Sequence, residues 1–368
     1  MLPRALVAGL AFALAACTDQ VLLNDLWEDA GPDLANNKDV GATSQGDASC
    51  VTKYIQVTYW PRSAKLLILF DRSTAMQSSL GSTSREDATE SALMSAIASY
   101  QGKVMFGFEQ FPPDSSDKAY ADCEDNDCCA GSVVVEPQYN AYKRINGSLR
   151  CGDAQGSPCP TPSYQSASSA ALVQARDWFW SKKKYASANE DWYTLLVTAS
   201  EPGCSPAGDT REPCSSAKSA ATDLSNLGVR VVVLSVGYAL GSNSCLTRIS
   251  ETGSPGLLPA GMNTLYTPSS GSGLSTSVTD FVSAVAKTSC TLNLDLNNVP
   301  PPEQAQLEMY MGTTSIPQND ANGWSFADAG TSTILLSGSA CDQFAASQVF
   351  LLAGGYTCST CGDSNACP

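Results

Sequence analysis

Between Ala64 and Lys287, short apolar runs alternate with stretches whose apolar residues recur at helical spacing, and this alternation restricts the fold more than any other feature of the chain. The run Ala64-Lys65-Leu66-Leu67-Ile68-Leu69-Phe70-Asp71 is apolar at nearly every position and stops at a carboxylate, as a strand buried on both faces of a parallel sheet does. Arg85 to Tyr100 follows, with Ala88, Leu93, Ala96 and Ile97 at helical spacing, and Val104 to Phe108 reads as a second strand. Ala170 to Trp180 is predicted as helix, Tyr193 to Thr198 as strand, Ser215 to Leu227 as helix, Val229 to Val236 as the most apolar strand, and Ser275 to Lys287 as a last helix. The order predicts an α/β fold, a doubly wound, mostly parallel sheet with helices on both faces, whose ligand site lies at the carboxyl ends of the strands.

The cysteines speak to compartment. There are fifteen, a number that an oxidising environment allows to pair. Met1 to Ala16 has the features of a signal segment: Arg4 gives a short positive start, Ala5 to Ala16 is apolar, and the apolar part is too short to span a bilayer. Leu14-Ala15-Ala16-Cys17 resembles the bacterial lipobox, which implies cleavage before Cys17 and lipid attachment to it. Removing Cys17 from the count leaves fourteen, an even set. Thr18 after the lipobox cysteine, in place of aspartate, resembles lipoproteins sent to the outer membrane. Thr18 to Ser49 holds seven acidic residues and one lysine with no sustained apolar period, so residues 17–49 are predicted to be a lipidated acidic tether.

The remaining organisation follows from changes in texture. Residues 50–289 are assigned to the α/β domain, with a cysteine-rich stretch, 123–159, predicted as a disulfide-held loop elaboration between the second strand and the second helix. Residues 290–368 are rich in Thr, Asn, Gly and Pro. Short alternating runs at Thr291 to Leu296, Ala305 to Tyr310, Thr333 to Leu336 and Gln348 to Leu352 predict a small β-rich unit. Pro300-Pro301-Pro302 is either a hinge or a loop within one body.

Asp71-Arg72-Ser73-Thr74-Ala75, directly after the first apolar strand, resembles the D-x-S-x-S loop of the von Willebrand factor A family. The strand and helix order from Ala64 to Lys287 resembles that family too. The resemblance implies a rim site in which a divalent cation is held by the first-loop Asp and two Ser hydroxyls, a second-loop Thr and a third-loop Asp. Asp71 and Ser73 match the first loop, and Ala75 stands where the second serine is expected. Cys159-Pro160-Thr161-Pro162-Ser163 resembles the second loop, with Thr161 at the threonine position. Thr198-Ala199-Ser200-Glu201-Pro202 resembles the third loop, T-D-G-E-P, with Ala199 in place of the aspartate. Asp71, Ser73 and Thr161 are therefore the candidate ligands for Mg²⁺ or Ca²⁺. Losing one hydroxyl and one of two carboxylates predicts at most weak binding, because these ions depend on oxygen number and charge. Asp71, Ser73, Thr161 and Glu201 form the candidate partner-binding rim.

Other segments offer weaker chemistry. Asp122 to Cys129 packs four carboxylates into one loop but lacks the spacing and central glycine of a calcium loop, and adjacent Cys128 and Cys129 are expected to bond different partners. Cys358, Cys361 and Cys367 fit disulfides involving Cys341 or Cys290 better than zinc or redox chemistry. Trp178, Trp180, Trp192 and Tyr193 read as core and helix-face residues.

Charge and composition narrow the function. With 36 acidic residues against 21 Lys plus Arg, the net charge is −15, which repels nucleic acid. The chain contains no histidine, which removes Ser-His-Asp and Cys-His catalysis and every His-containing zinc site. The expectation is a non-catalytic envelope lipoprotein that binds a protein or polysaccharide. The alternative is an assembly subunit whose domain no longer binds metal.

Overall fold

The computed structural model describes residues 53–56, 59–112, 128–150, 165–183, 190–206, 208–241, 243–255, 258, 262–294, 308–311, 314–327, 333–346 and 352–356. The chain divides into Met1–Ser49 and Cys50–Pro368, and all described residues belong to the second part. The signal segment, Cys17, the tether, Pro300-Pro301-Pro302 and Cys358, Cys361 and Cys367 lie outside them, as do all but the two cysteines that end the acidic loop.

In chain order the elements begin with β1 (Lys53–Gln56), β2 (Tyr59–Pro61), β3 (Ser63–Asp71), the short pair β4 (Ser79–Leu80) and β5 (Thr83–Ser84), and α1 (Arg85–Tyr100). Then come β6 (Val104–Phe111), β7 (Val133–Gln138), α2 (Tyr142–Leu149), α3 (Ser168–Lys183), β8 (Glu190–Thr198), α4 (Pro213–Asn226) and β9 (Val229–Ser235). The α/β part closes with α5 (Cys245–Gly253), β10 (Leu265–Tyr266) and α6 (Gly271–Thr288). After it follow β11 (Thr291–Leu294), β12 (Glu308–Met311), β13 (Thr314–Ile316), β14 (Trp324–Phe326), β15 (Thr333–Leu336), α7 (Gly338–Ala346) and β16 (Leu352–Tyr356).

The central sheet has six strands in the order β10-β9-β8-β3-β6-β7, all parallel except β7 on the edge. Chain order runs outward from β3 through β6 to β7, then returns to β8 and runs outward the other way. This is a doubly wound sheet, and the order reverses between β3 and β8. Alternate side chains of β3 enter opposite cores. Leu66, Ile68 and Phe70 pack with α1, α2 and α6, while Leu67 and Leu69 pack with α3, α4 and α5. Burial on both faces is why β3 reads as an unbroken apolar run. Helix starts are chemically marked: Ser84 accepts from the Asp87 amide at 3.0 Å, with Glu86 and Asp87 in the first turn of α1, and Pro213 opens α4.

Two features differ from the sequence reading. The stretch 123–159 is more than a loop elaboration, because residues 133–149 within it supply the antiparallel edge strand β7 and helix α2. The β-rich unit takes strands from both sides of the α/β sheet. β1 pairs with β16 and β2 with β11, giving four-stranded sheets in the orders β1-β16-β12-β13 and β14-β15-β11-β2. Periodicity finds strands but is silent on pairing between segments so far apart in the chain. The unit has its own core around Leu292, Met309, Trp324, Ile334 and Leu336. Its disulfide joins Cys290 to Cys341, so neither of them pairs with Cys358, Cys361 or Cys367.

The α/β sheet is joined to this unit at one end. Arg62 alone separates β2 from the start of β3, and α6 returns to the same end, where Thr288 comes close to Tyr193 near the start of β8. At this base Asp191 accepts from Arg62 Nε at 2.7 Å and Nη2 at 2.9 Å, and from Arg230 Nη1 at 3.0 Å. Burial pushes the Tyr193 phenol up to about 12.

Candidate functional site

Asp71 ends β3 and Thr198 ends β8, so the two stand side by side at the carboxyl ends of the strands where the order reverses, the place at which open α/β sheets bind ligands. Asp71 is fully buried. Its Oδ1 accepts from the Ser73 amide at 2.8 Å and its Oδ2 from Thr198 Oγ1 at 2.6 Å. Ser166, two residues before α3, places its hydroxyl 3.4 Å from Thr198 Oγ1 and 2.6 Å from Ser168 Oγ. Burial raises the Asp71 pKa above the ordinary carboxylate value; the nearby Thr198, Ser73 and Ser166 groups oppose this without offsetting it. Ser73 Oγ is itself buried. It lies close enough to Asp71 to favour the charged form, yet it meets hydrogen-bond geometry with no described residue.

Three connections fix these loops to one another. Gly203 N donates to Ser166 O at 2.9 Å, and the Ser169 hydroxyl donates to the Cys204 carbonyl, lacing the second loop to the third. Cys204 is bonded to Cys128, which brings in the segment after β6, and Cys129 is bonded to a different cysteine, as the adjacency of the two predicts. On the other side Arg85 donates to Ala75 O at 3.2 Å and to Gly237 O at 2.7 Å, tying the first loop to the end of β9. Gly237 has φ 62°, and a Cβ there would lie 2.8 Å from Arg85 Nε, so this strap requires glycine.

Of the residues singled out from sequence, Asp71 and Ser73 sit together at the end of β3, joined by the bond from the Ser73 amide to Asp71 Oδ1. Thr161 lies outside the described residues. The hydroxyl that the second loop brings to Asp71 is that of Ser166, five residues later. Its signal in the sequence is the pair Ser166 and Ser168, small hydroxyl residues directly at the start of a helix. Glu201 is in the third loop, but both its oxygens are engaged by α5: Oε1 accepts from Ser244 Oγ at 2.6 Å and Oε2 from Leu246 N at 3.2 Å. It holds a helix start rather than offering a free carboxylate, consistent with anion preference at that end. Thr198 stands in the third-loop run but not among the candidate site residues, because a threonine closing an apolar strand is ordinary β-sheet composition. Ala75 is partly buried and Ala199 buried, both packed with the apolar core on the α1 and α6 side.

Arg72, between Asp71 and Ser73, turns away from them. Its guanidinium donates to Glu86 at 2.9 and 3.0 Å, to Gln110 at 3.3 Å and to the Leu149 carbonyl at 3.2 Å.

No family model matches the sequence, and no curated protein matches it. Among solved structures the chain is similar to proximal thread matrix protein 1 from the mussel byssus, at 17% identity and TM-score 0.40 over 63% of this chain and 49% of that one. It is also similar to the pilus adhesin SpaC from Lactobacillus rhamnosus GG, at 13% identity and TM-score 0.45 over 80% of this chain and 39% of that one. The VWA domain of SpRpn10 superposes at 11% identity and TM-score 0.34, over 53% of this chain and 84% of that domain. The matches thus span less than half of the mussel and lactobacillus chains. At such identities and scores none of them bears on function, and the doubly wound architecture stands on the strand order of the chain itself.

Proposed function

We propose that the chain is a cell-envelope lipoprotein, anchored through lipid on Cys17 and most suited to the outer membrane or cell surface, whose rim is a non-catalytic, adhesion-type surface for a protein or polysaccharide. One observation carries this reading: at the strand-order switch, loops from three parts of the sequence bring hydroxyls around a single buried carboxylate and are fastened together by hydrogen bonds and the Cys128–Cys204 disulfide. Such a platform is rigid and polar, which suits recognition. Its groups are one carboxylate and several hydroxyls, a set that orients a partner but does not pair a nucleophile with a base. The bonded cysteines Cys128–Cys204, Cys214–Cys245 and Cys290–Cys341 agree with an exported chain.

The family that the first loop resembles places a divalent cation here, and this donor set does not fit one. Among the described residues Asp71 is the single rim carboxylate not taken up by a helix start, both its oxygens already accept hydrogen bonds, and the places of a second hydroxyl and a second carboxylate are the methyl groups of Ala75 and Ala199. Mg²⁺ seeks near-octahedral oxygen coordination and Ca²⁺ more oxygens still. The rim therefore acts without resident metal. A second reading, an assembly subunit of the envelope, is favoured by the burial of Ala199 in the core, which makes the third loop a structural closure rather than a ligand arm.

The test has two arms on the full chain. Envelope proteins and polysaccharides are offered to the immobilised protein with chelator present. Capture that is lost in Ser200→Trp, which crowds the mouth beside Thr198, supports rim recognition, and capture indifferent to that change refutes it. In calorimetric titration with Mg²⁺ and Ca²⁺ the wild type shows no saturable binding, while Ala75→Ser with Ala199→Asp gains it. Saturation of the wild type at millimolar metal or below overturns the metal-free rim.

A further inference from the structure

Away from the rim, α1 and α2 enclose an open cavity of ≈ 450 Å³, within the range of roughly 300–1,000 Å³ typical of ligand pockets. Its walls divide by chemistry. Met94, Tyr142 and Leu149 are partly or fully buried against the core and give an apolar side. Asp87, Glu90 and Arg150 supply charge. The outward face of α1 beside it carries Ser91, Ser95 and Ala98, small exposed side chains that leave room for another main chain to lie against the helix.

Glu90 is the unbalanced group. It is half-buried, its nearest cation is Arg72 Nη2 at 3.8 Å, and that guanidinium is already hydrogen bonded to Glu86. The charges that face Glu90 are Arg72 from the loop after β3, Glu86 and Asp87 from α1, and Arg150 at the end of α2. Two cations oppose three carboxylates once Glu90 is included, so the cavity has one negative charge in excess when Glu90 is ionised. Burial, with Glu86 and Asp87 adding to it, raises Glu90 to about 7.

We propose that this cavity receives a lysine side chain from a partner polypeptide, the ammonium seated on Glu90 and the methylene stem lying along Met94, Tyr142 and Leu149. Glu90 Oε1 is turned toward Arg72 Nη2 at 3.8 Å, so a newcomer meets mainly the other oxygen; an ammonium is a compact single charge that can seat on one acceptor, whereas a guanidinium fork pairs best with both oxygens of a carboxylate. The stem gains from apolar burial. The net charge of −15 favours approach by basic chains. The site is separate from the rim, yet it touches Arg72, the residue between Asp71 and Ser73, so a cation on Glu90 competes directly with a side chain of the rim loop.

The test is NMR titration of the full chain with Nα-acetyl-lysine methylamide, following the amides of Ser91, Ser95 and Asn146 and the Arg72 Nε–H. Saturable shifts at those positions are expected, with no saturation by the uncharged norleucine analogue. Affinity should rise about tenfold between about pH 6 and about pH 8 as Glu90 loses its proton. Glu90→Gln should weaken binding about tenfold or more and remove the pH dependence. Ser95→Trp, at an exposed position on the cavity wall, should abolish binding while Glu90 stays in place. Absence of saturable shifts, equal binding of the norleucine analogue, or binding unchanged by either substitution overturns the proposal.

Discussion

The two ends of the central sheet each bury an aspartate, and they treat it in opposite ways. At the base, Asp191 is 5% exposed and receives three hydrogen bonds from Arg62 and Arg230, one of which lies in the single-residue link to the β-rich unit. At the rim, Asp71 is 0% exposed and is surrounded by hydroxyls and a backbone amide, with no cation among its described hydrogen-bond partners. A buried carboxylate with two guanidinium partners fixes geometry. One held only by dipoles keeps an unfavourable charge at a place where a ligand can relieve it. The base thus joins two units, whereas the rim, on the function proposed above, is the end that meets a partner.

The largest effect that would sharpen this contrast is Asp191→Asn. It leaves two guanidinium groups, each about a quarter exposed, facing a neutral amide: one oxygen can still accept from Arg62 Nη2 and Arg230 Nη1, but the charge is gone and an NH2 group stands where Arg62 Nε needs an acceptor. Loss of one partner in a largely buried ion pair costs about 3 kcal/mol or somewhat less where solvent reaches the arginines. Urea unfolding should show this loss. A change near zero would mean that the base network is no stronger than a surface pair, and the contrast with the rim would disappear.

Asp71→Asn should act the other way. Asparagine keeps one oxygen for the Ser73 amide, and the Thr198 hydroxyl can turn to the Ser200 carbonyl, 3.1 Å away, while accepting from the new amide. Because folding raises the Asp71 pKa, the native state binds this proton more tightly than the unfolded chain does. Its contribution to stability is complete below the ordinary carboxylate value and is lost as pH rises through the higher native one. At neutral pH the variant should therefore be more stable than the wild type by about 1 kcal/mol, with the gap closing as pH falls to about 4. Unfolding at a series of pH values measures this; a variant less stable at neutral pH would show that the carboxylate is structurally compensated after all.

Legibility in the sequence followed contiguity. Wherever the pattern is local the reading and the structure coincide: the apolar run from Ala64 to Asp71 is a strand, and the predicted helix from Arg85 to Tyr100 has the observed bounds. Wherever the partner is distant in the chain, local pattern was silent: nothing in β1 or β2 announces β16 or β11 as neighbours. β7 was hidden because Pro137 and alternating exposure mark it as an edge, next to cysteines that suggested a loop. Glu201 was legible as a third-loop residue, but its role depends on where α5 begins, more than forty residues later.

The smallest predicted change separates rim from base most cleanly. Ser73 Oγ is buried without a hydrogen-bond partner among the described residues, so the folded chain carries the desolvation of that hydroxyl and draws little stability from it. Removing it in Ser73→Ala deletes one polar atom and leaves the Ser73 amide bond to Asp71 intact. Stability should then stay within about 0.5 kcal/mol of the wild type, or rise slightly, since an unsatisfied group is lost along with a weak favourable influence on the Asp71 charge. In the Ala75→Ser, Ala199→Asp background the same deletion should sharply reduce the metal response, because there the hydroxyl has a cation to meet. A Ser73→Ala protein destabilised by more than about 1 kcal/mol would show that the hydroxyl already serves the fold, and a rim whose every polar group serves the fold is built like the base.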